Sequence, residues 1–214
     1  MANMHGVPRP QMRGVSHQVA AYVAAIAGAI LVAVVDGSRA RVIVAVYAAT
    51  LAGMFRTSAM LHRRDWGPRA FAWWRRADHA MIFLFIGGTY TPLCLLGMAN
   101  ESGERLLLLV WIAASAGVLR AVLWPHAPRV VTSGLFVVVG WLVIAYLPDA
   151  RAAFDAATFT WLVAGGVWFT VGAVIYATRW PDPWPRVFGF HEVFHVLIIV
   201  GCTCHFVAVA RCAL

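Results

Sequence analysis

Seven apolar stretches, each near the roughly 20 residues that cross a hydrocarbon core, constrain this chain more than any other feature. They lie near 17–35, 41–62, 79–99, 105–124, 130–148, 158–178 and 190–210. Inside a bilayer no water satisfies the backbone, so each stretch must close its own hydrogen bonds, as a helix does and an open strand does not. Turn and breaker residues separate them: Asp36-Gly37-Ser38, the arginine-rich 63–76 segment, Asn100-Glu101-Ser102-Gly103, Trp124-Pro125-His126, Pro148-Asp149 and Arg179-Trp180-Pro181-Asp182-Pro183. The pattern predicts an all-α, polytopic membrane protein. A seven-transmembrane helix bundle forms one domain over 17–214, after a short cytoplasmic tail over 1–16. The first stretch follows Arg9 and Arg13 as a signal peptide would. Its apolar core is long and a small-x-small cleavage signal is indistinct, so an uncleaved anchor is expected.

Composition agrees. Hydrophobic residues are 62% of the chain and charged residues 12%, against about half and about a quarter in a soluble domain. A formal charge of +8 raises nucleic acid as a partner. Every basic residue is Arg, however, and the arginines sit in short loops between apolar runs, where topology explains them and no nucleic-acid surface is formed. The tail and the 63–76, 125–129 and 179–189 breaks share one side. They carry Arg9, Arg13, Arg63, Arg64, Arg69, Arg75, Arg76, Arg129, Arg179 and Arg186. The other side has Arg39, Arg41, Arg105, Arg151 and Arg211, offset by Asp36, Glu101, Glu104, Asp149 and Asp155. The positive-inside rule then sets the N-terminus in the cytoplasm and the C-terminus outside. Trp73, Trp74, Trp124, Trp180 and Trp184 gather near the arginine-rich side as an aromatic belt. Cys94, Cys202, Cys204 and Cys212 form no disulfide framework; three of them lie inside apolar runs.

Chemistry concentrates at the arginine-rich side. His191 and His195 are spaced i, i+4, which puts both imidazoles on one face of the last helix. The second span ends there with His62, and the third begins there with Asp78-His79. Three segments distant in sequence thus bring ionisable groups to one depth, where such groups are costly unless they serve a purpose. His62, His191 and His195 form a candidate metal site. Imidazoles without thiolates or a carboxylate cluster suit zinc better than calcium or magnesium. Three protein ligands leave a coordination position open, as catalytic zinc sites do. Asp78 is the nearby carboxylate that manages a water's proton, and Ser58, one turn deeper than His62, can orient a water or substrate oxygen.

Ser58-x-x-x-His62, Asp78-His79, Gly88-Thr89-Tyr90-Thr91-Pro92 and His191-Glu192-x-x-His195, followed by His205-Phe206, resemble the hemolysin III branch of the progestin and adipoQ receptor family. Gly14-Val15-Ser16-His17 is similar to that family's entry into its first helix. The resemblance implies zinc on His62, His191 and His195, with Asp78 and Ser58 beside the water. Its kinship with alkaline ceramidases implies hydrolysis of a lipid-like amide or ester, with membrane lipids as surroundings and substrate source. It also implies a multi-pass protein of a bacterial inner (plasma) membrane. Two departures stand out: Leu61 occupies a position usually held by Tyr in this branch, and the long N-terminal domain of the receptor members is absent, which speaks against hormone binding.

Two other readings compete. The ion can be a structural rivet in a non-catalytic membrane protein, with membrane homeostasis or a pore-forming, hemolysin-type role as its output. A channel needs polar residues throughout the spans, and their outer halves supply few. Alternatively, His191-Glu192-x-x-His195 satisfies H-E-x-x-H, the metalloprotease pattern with Glu as general base. The expectation for Glu192 is instead an interfacial ion pair with Arg186. His17, His79 and His205 are expected to line the cavity or bond carbonyls without ligating the ion.

Overall fold

The computed structural model describes residues 10–214. Positions 1–9 of the expected tail, Arg9 among them, lie outside the described residues. The described chain folds into α1 (Val15–Val34), α2 (Ser38–Arg63), α3 (Pro68–Pro92), α4 (Glu101–Leu123), α5 (Arg129–Gly140), α6 (Leu147–Ala153), α7 (Ala156–Thr178) and α8 (Phe190–Ala213). With α5 and α6 joined as one crossing, seven helical segments are long and apolar enough to cross a membrane. No strand occurs among the described residues.

Helix α1 shows why such a sequence packs as it does. Ala20, Ala24, Gly28 and Leu31 recur every three or four residues and are buried, whereas Val19, Tyr22, Val23, Ile26 and Ile30 face outward. Lipid is as apolar as the bundle interior, so close van der Waals fit between helices decides the inward face. A Cβ added at Gly28 would lie 2.7 Å from the Ala48 Cβ, so glycine permits the α1–α2 approach.

Two spans depart from the hydropathy pattern. The third helix starts at Pro68, well before the predicted 79, and runs through most of the arginine-rich break. Proline fits the first helical turn, and charged residues there reach past the apolar slab. Arg76 illustrates this, donating to the Ala72 and Val122 carbonyls. After Pro92, which has no N–H, the helix widens into a π-turn over Leu93–Met98. The fifth span is broken: α5 stops at Gly140, a 3-10 turn covers Leu142–Tyr146, and α6 resumes behind Pro148. A broken helix in lipid leaves backbone groups to be satisfied by neighbours. Tyr90 does this, donating to Gly140 O at 2.8 Å and accepting from Val143 N at 3.1 Å.

At the arginine-rich end, the turn before α1 is tied to the loop before α8. Gln11 N donates to Arg186 O and Met12 N to Val187 O, at 3.1 and 3.0 Å. This junction lies at the end of the bundle that holds the histidines.

Candidate metal centre

Helix α2 ends in His62 and α8 begins with His191 and His195, at one end of the bundle. Their candidate ligand atoms all lie within 4.8 Å of one another, close enough to hold a metal ion. His62 Nε2 and His191 Nε2 are 3.2 Å apart. Ligands of a tetrahedral zinc at 2.0–2.1 Å stand about 3.3 Å apart, so this pair already has the needed separation. The ring of His195 lies 4.5 Å from that of His191 and 5.2 Å from that of His62, centroid to centroid. His195 is 1% exposed, and its Nδ1 is buried without a hydrogen-bond partner.

Ser58 sits one turn before His62 and is buried. The Asp78 carboxyl on α3 lies within electrostatic range of its hydroxyl, and both residues border the same cavity. The same Oγ is 2.8 Å from His17 Nδ1. If the hydroxyl donates to Asp78, the serine oxygen must accept from His17 Nδ1–H, which leaves His17 Nε2 without a proton. His17 Nε2 has no hydrogen-bond partner. The His17 ring also stacks on His195, with centroids 3.7 Å apart and planes 11° from parallel. Helix α1 therefore contributes to the site more closely than its isolated histidine suggested. The sequence signal available was Ser58, a buried hydroxyl that needs a partner.

Glu192 corrects an expectation. Its partner is Arg13, not Arg186, with Arg13 Nε 2.5 Å from Oε1. Oε2 accepts from the Gly189 amide at 2.8 Å. At the third position of α8 a carboxylate folds back on its own helix start, and the segment before α1 supplies the guanidinium. Glu192 is 1% exposed, both oxygens are engaged, and it does not border the cavity beside the histidines. The general base of H-E-x-x-H needs an oxygen free to face the reacting water, so the protease reading loses its base. His79 borders the cavity without joining the histidine cluster, and His205 approaches Leu162 O at 3.2 Å.

The cavity measures about 390 Å³ and reaches from the histidines deep into the bundle. Asp78 and Ser58 border it near the cluster, and Phe85, Phe169 and Ile198 give it apolar walls.

A seven-span helical bundle with a histidine cluster at one end and an apolar cavity behind it defines a class of integral membrane protein. Residues 5–206 match the family described as Haemolysin-III related, and the chain belongs to that family. It is 28% identical over 132 residues to the Hemolysin-3 homolog of Bacillus subtilis (strain 168), covering 62% of this chain and 59% of that protein. It is 25% identical over 156 residues to Hemolysin-3 of Bacillus cereus, covering 73% and 68%. The Adiponectin receptor protein of Drosophila melanogaster is 24% identical over 156 residues, covering 65% of this chain and 35% of the receptor. These relatives support placement in the hemolysin III branch of the progestin and adipoQ receptor family.

Proposed function

We propose that the protein is a zinc-dependent hydrolase of a lipid-like amide or ester, working in a plasma membrane with its histidine end toward the cytoplasm. The convergence of His62, His191 and His195 beside a deep apolar cavity is the observation that supports this most. The donor set fits zinc: three imidazoles, no thiolate, one neighbouring carboxyl, and an orphaned buried nitrogen on His195. When bound, zinc supplies a Lewis acid and makes water a usable nucleophile near neutral pH.

The chain's own residues carry the remaining steps. The cavity holds the acyl chain and excludes bulk water. Asp78 takes the proton of the attacking water and returns it to the leaving amine or alkoxide. Ser58 fixes the Asp78 carboxyl, and His17 Nδ1 fixes Ser58. The orientation rests on the excess of arginine at the histidine end.

Lipid profiling of membranes with and without the protein, followed by turnover of the enriched lipid by purified protein, tests this reading. His195→Ala and Asp78→Asn should abolish turnover while the bundle stays assembled. Turnover that persists in metal-free His62→Ala/His195→Ala protein contradicts it. One observation favours a second reading, a structural ion: the cluster joins α2 to α8, helices that otherwise touch little. In that case histidine variants lose thermal stability and abundance together, and no lipid is consumed.

A further inference from the structure

Two arginines border the arginine-rich end of the cavity, and a third lies behind its wall. Arg75, one turn before Asp78 on α3, and Arg129, the first residue of α5, both border it. Arg120, in the last turn of α4, donates to Thr132 Oγ1 at 3.2 Å and lies over the Phe83 ring at 5.8 Å. The Arg129 guanidinium is 5.2 Å from the Tyr176 ring centroid and 5.5 Å from that of Phe190. Tyr176 lies within electrostatic range of all three guanidiniums.

Among the described residues their positive charge outnumbers the carboxyls that border the cavity. None of the three forms an ion pair among the described residues. Arg13, also at this end, is committed to Glu192. Arg13, Arg75 and Arg179 all lie within electrostatic range of Arg129, and His79 within range of Arg75 and Arg120. Among the described residues that border the cavity, Asp78 is the one carboxyl, set against Arg75 and Arg129 besides the paired Arg13. Arg120 Nε and Nη2 and Arg129 Nη1 are buried donors with no partner.

An arginine that serves topology alone runs its stem along the outside of a helix and keeps its charge among headgroups. Arg75 and Arg129 instead border an interior space, and Arg129 is held by aromatic rings. Converging guanidiniums with unpaired donors call for an anion with several acceptor oxygens, and guanidinium geometry matches phosphate. We infer that this end of the cavity binds a phosphate group, contacted by Arg75 and Arg129 and held in the field of Arg120. The phosphate belongs either to a lipid headgroup whose tail enters the cavity or to a free or soluble phosphate. The inference does not depend on turnover at the histidines.

The test uses full-length protein in a phosphate-free maltoside detergent. Dihexanoyl phosphatidic acid should raise the melting temperature saturably, and dihexanoylglycerol should not. Arg75→Gln and Arg129→Gln should each weaken binding by about tenfold or more, while Arg39→Gln at the opposite end leaves it unchanged. Inorganic phosphate that competes at similar concentration assigns the site to the free anion. Inorganic phosphate that fails to compete assigns it to the lipid, and both results uphold a phosphate site. Broadening of the phosphatidic acid phosphorus resonance by wild type, reversed by excess sulfate, reads the site without any variant. Absence of saturable binding to wild type overturns the inference, as does undiminished binding by folded Arg75→Gln/Arg129→Gln protein. Lost phosphate binding with hydrolysis intact removes this inference alone. Lost hydrolysis with phosphate binding intact removes only the hydrolase reading.

Discussion

The imidazole of His17 lies flat against that of His195, ring centroids 3.7 Å apart, while its Nδ1 reaches Ser58 Oγ at 2.8 Å. One side chain of the first helix thus touches both a candidate ligand and the hydroxyl beside Asp78. It positions the site and is not a member of the three-histidine cluster.

His17→Ala should therefore keep its metal but lose about ten- to a hundredfold in turnover, because the serine and the carboxyl lose their orientation. His17→Gln, which can still donate to Ser58, should recover part of the loss. Metal analysis beside turnover checks this. Metal loss in His17→Ala equal to that in His195→Ala makes His17 a ligand instead.

Glu192 offers a separation of roles. Acting as a brace for Arg13 and the Gly189 amide, Glu192→Ala leaves a partly buried guanidinium unpaired and should cost about 2–3 kcal/mol, read by thermal or denaturant unfolding. Glu192→Gln keeps the shape and should retain turnover within about tenfold. A complete loss of turnover in stable Glu192→Gln protein restores the general-base reading.

The opposite end of the bundle carries its own pH dependence. Asp155 accepts from the Thr158 side chain and amide and pairs with Arg211, which lowers its pKa from 3.8 to about 2. A carboxyl depressed by folding stabilises the folded state above its unfolded pKa, and that contribution fades as pH falls through the folded value. The melting temperature of wild type should thus fall more steeply than that of Asp155→Asn between about pH 4 and pH 2. The effect is small, since the carboxylate is exposed. Parallel curves for the two proteins contradict it.

Hydropathy made the number of spans legible, because lipid demands about 20 apolar residues per crossing whatever the packing. It missed the start of α3, since Arg69, Arg75 and Arg76 belong to a helix that continues beyond the apolar slab. It also missed the break after Gly140, because apolar residues fill the 3-10 turn as readily as an α-helix. The meeting of His62 with His191 and His195 was legible, since an i, i+4 pair and a consistent span count fix side and depth together. The place of His17 was not: a lone histidine at a helix entry has no spacing partner. Nor was the Arg13–Glu192 pair, whose members stand 179 residues apart with no local pattern to join them.

The most direct measurement is the zinc content and zinc-edge absorption spectrum of the purified protein beside its His62→Ala, His191→Ala and His195→Ala variants. The wild type should carry about one zinc per chain in a nitrogen- and oxygen-rich shell with three imidazoles, and each variant should lose it. A wild type that takes up no metal when zinc is supplied contradicts the histidine centre. So does zinc retained unchanged in all three variants.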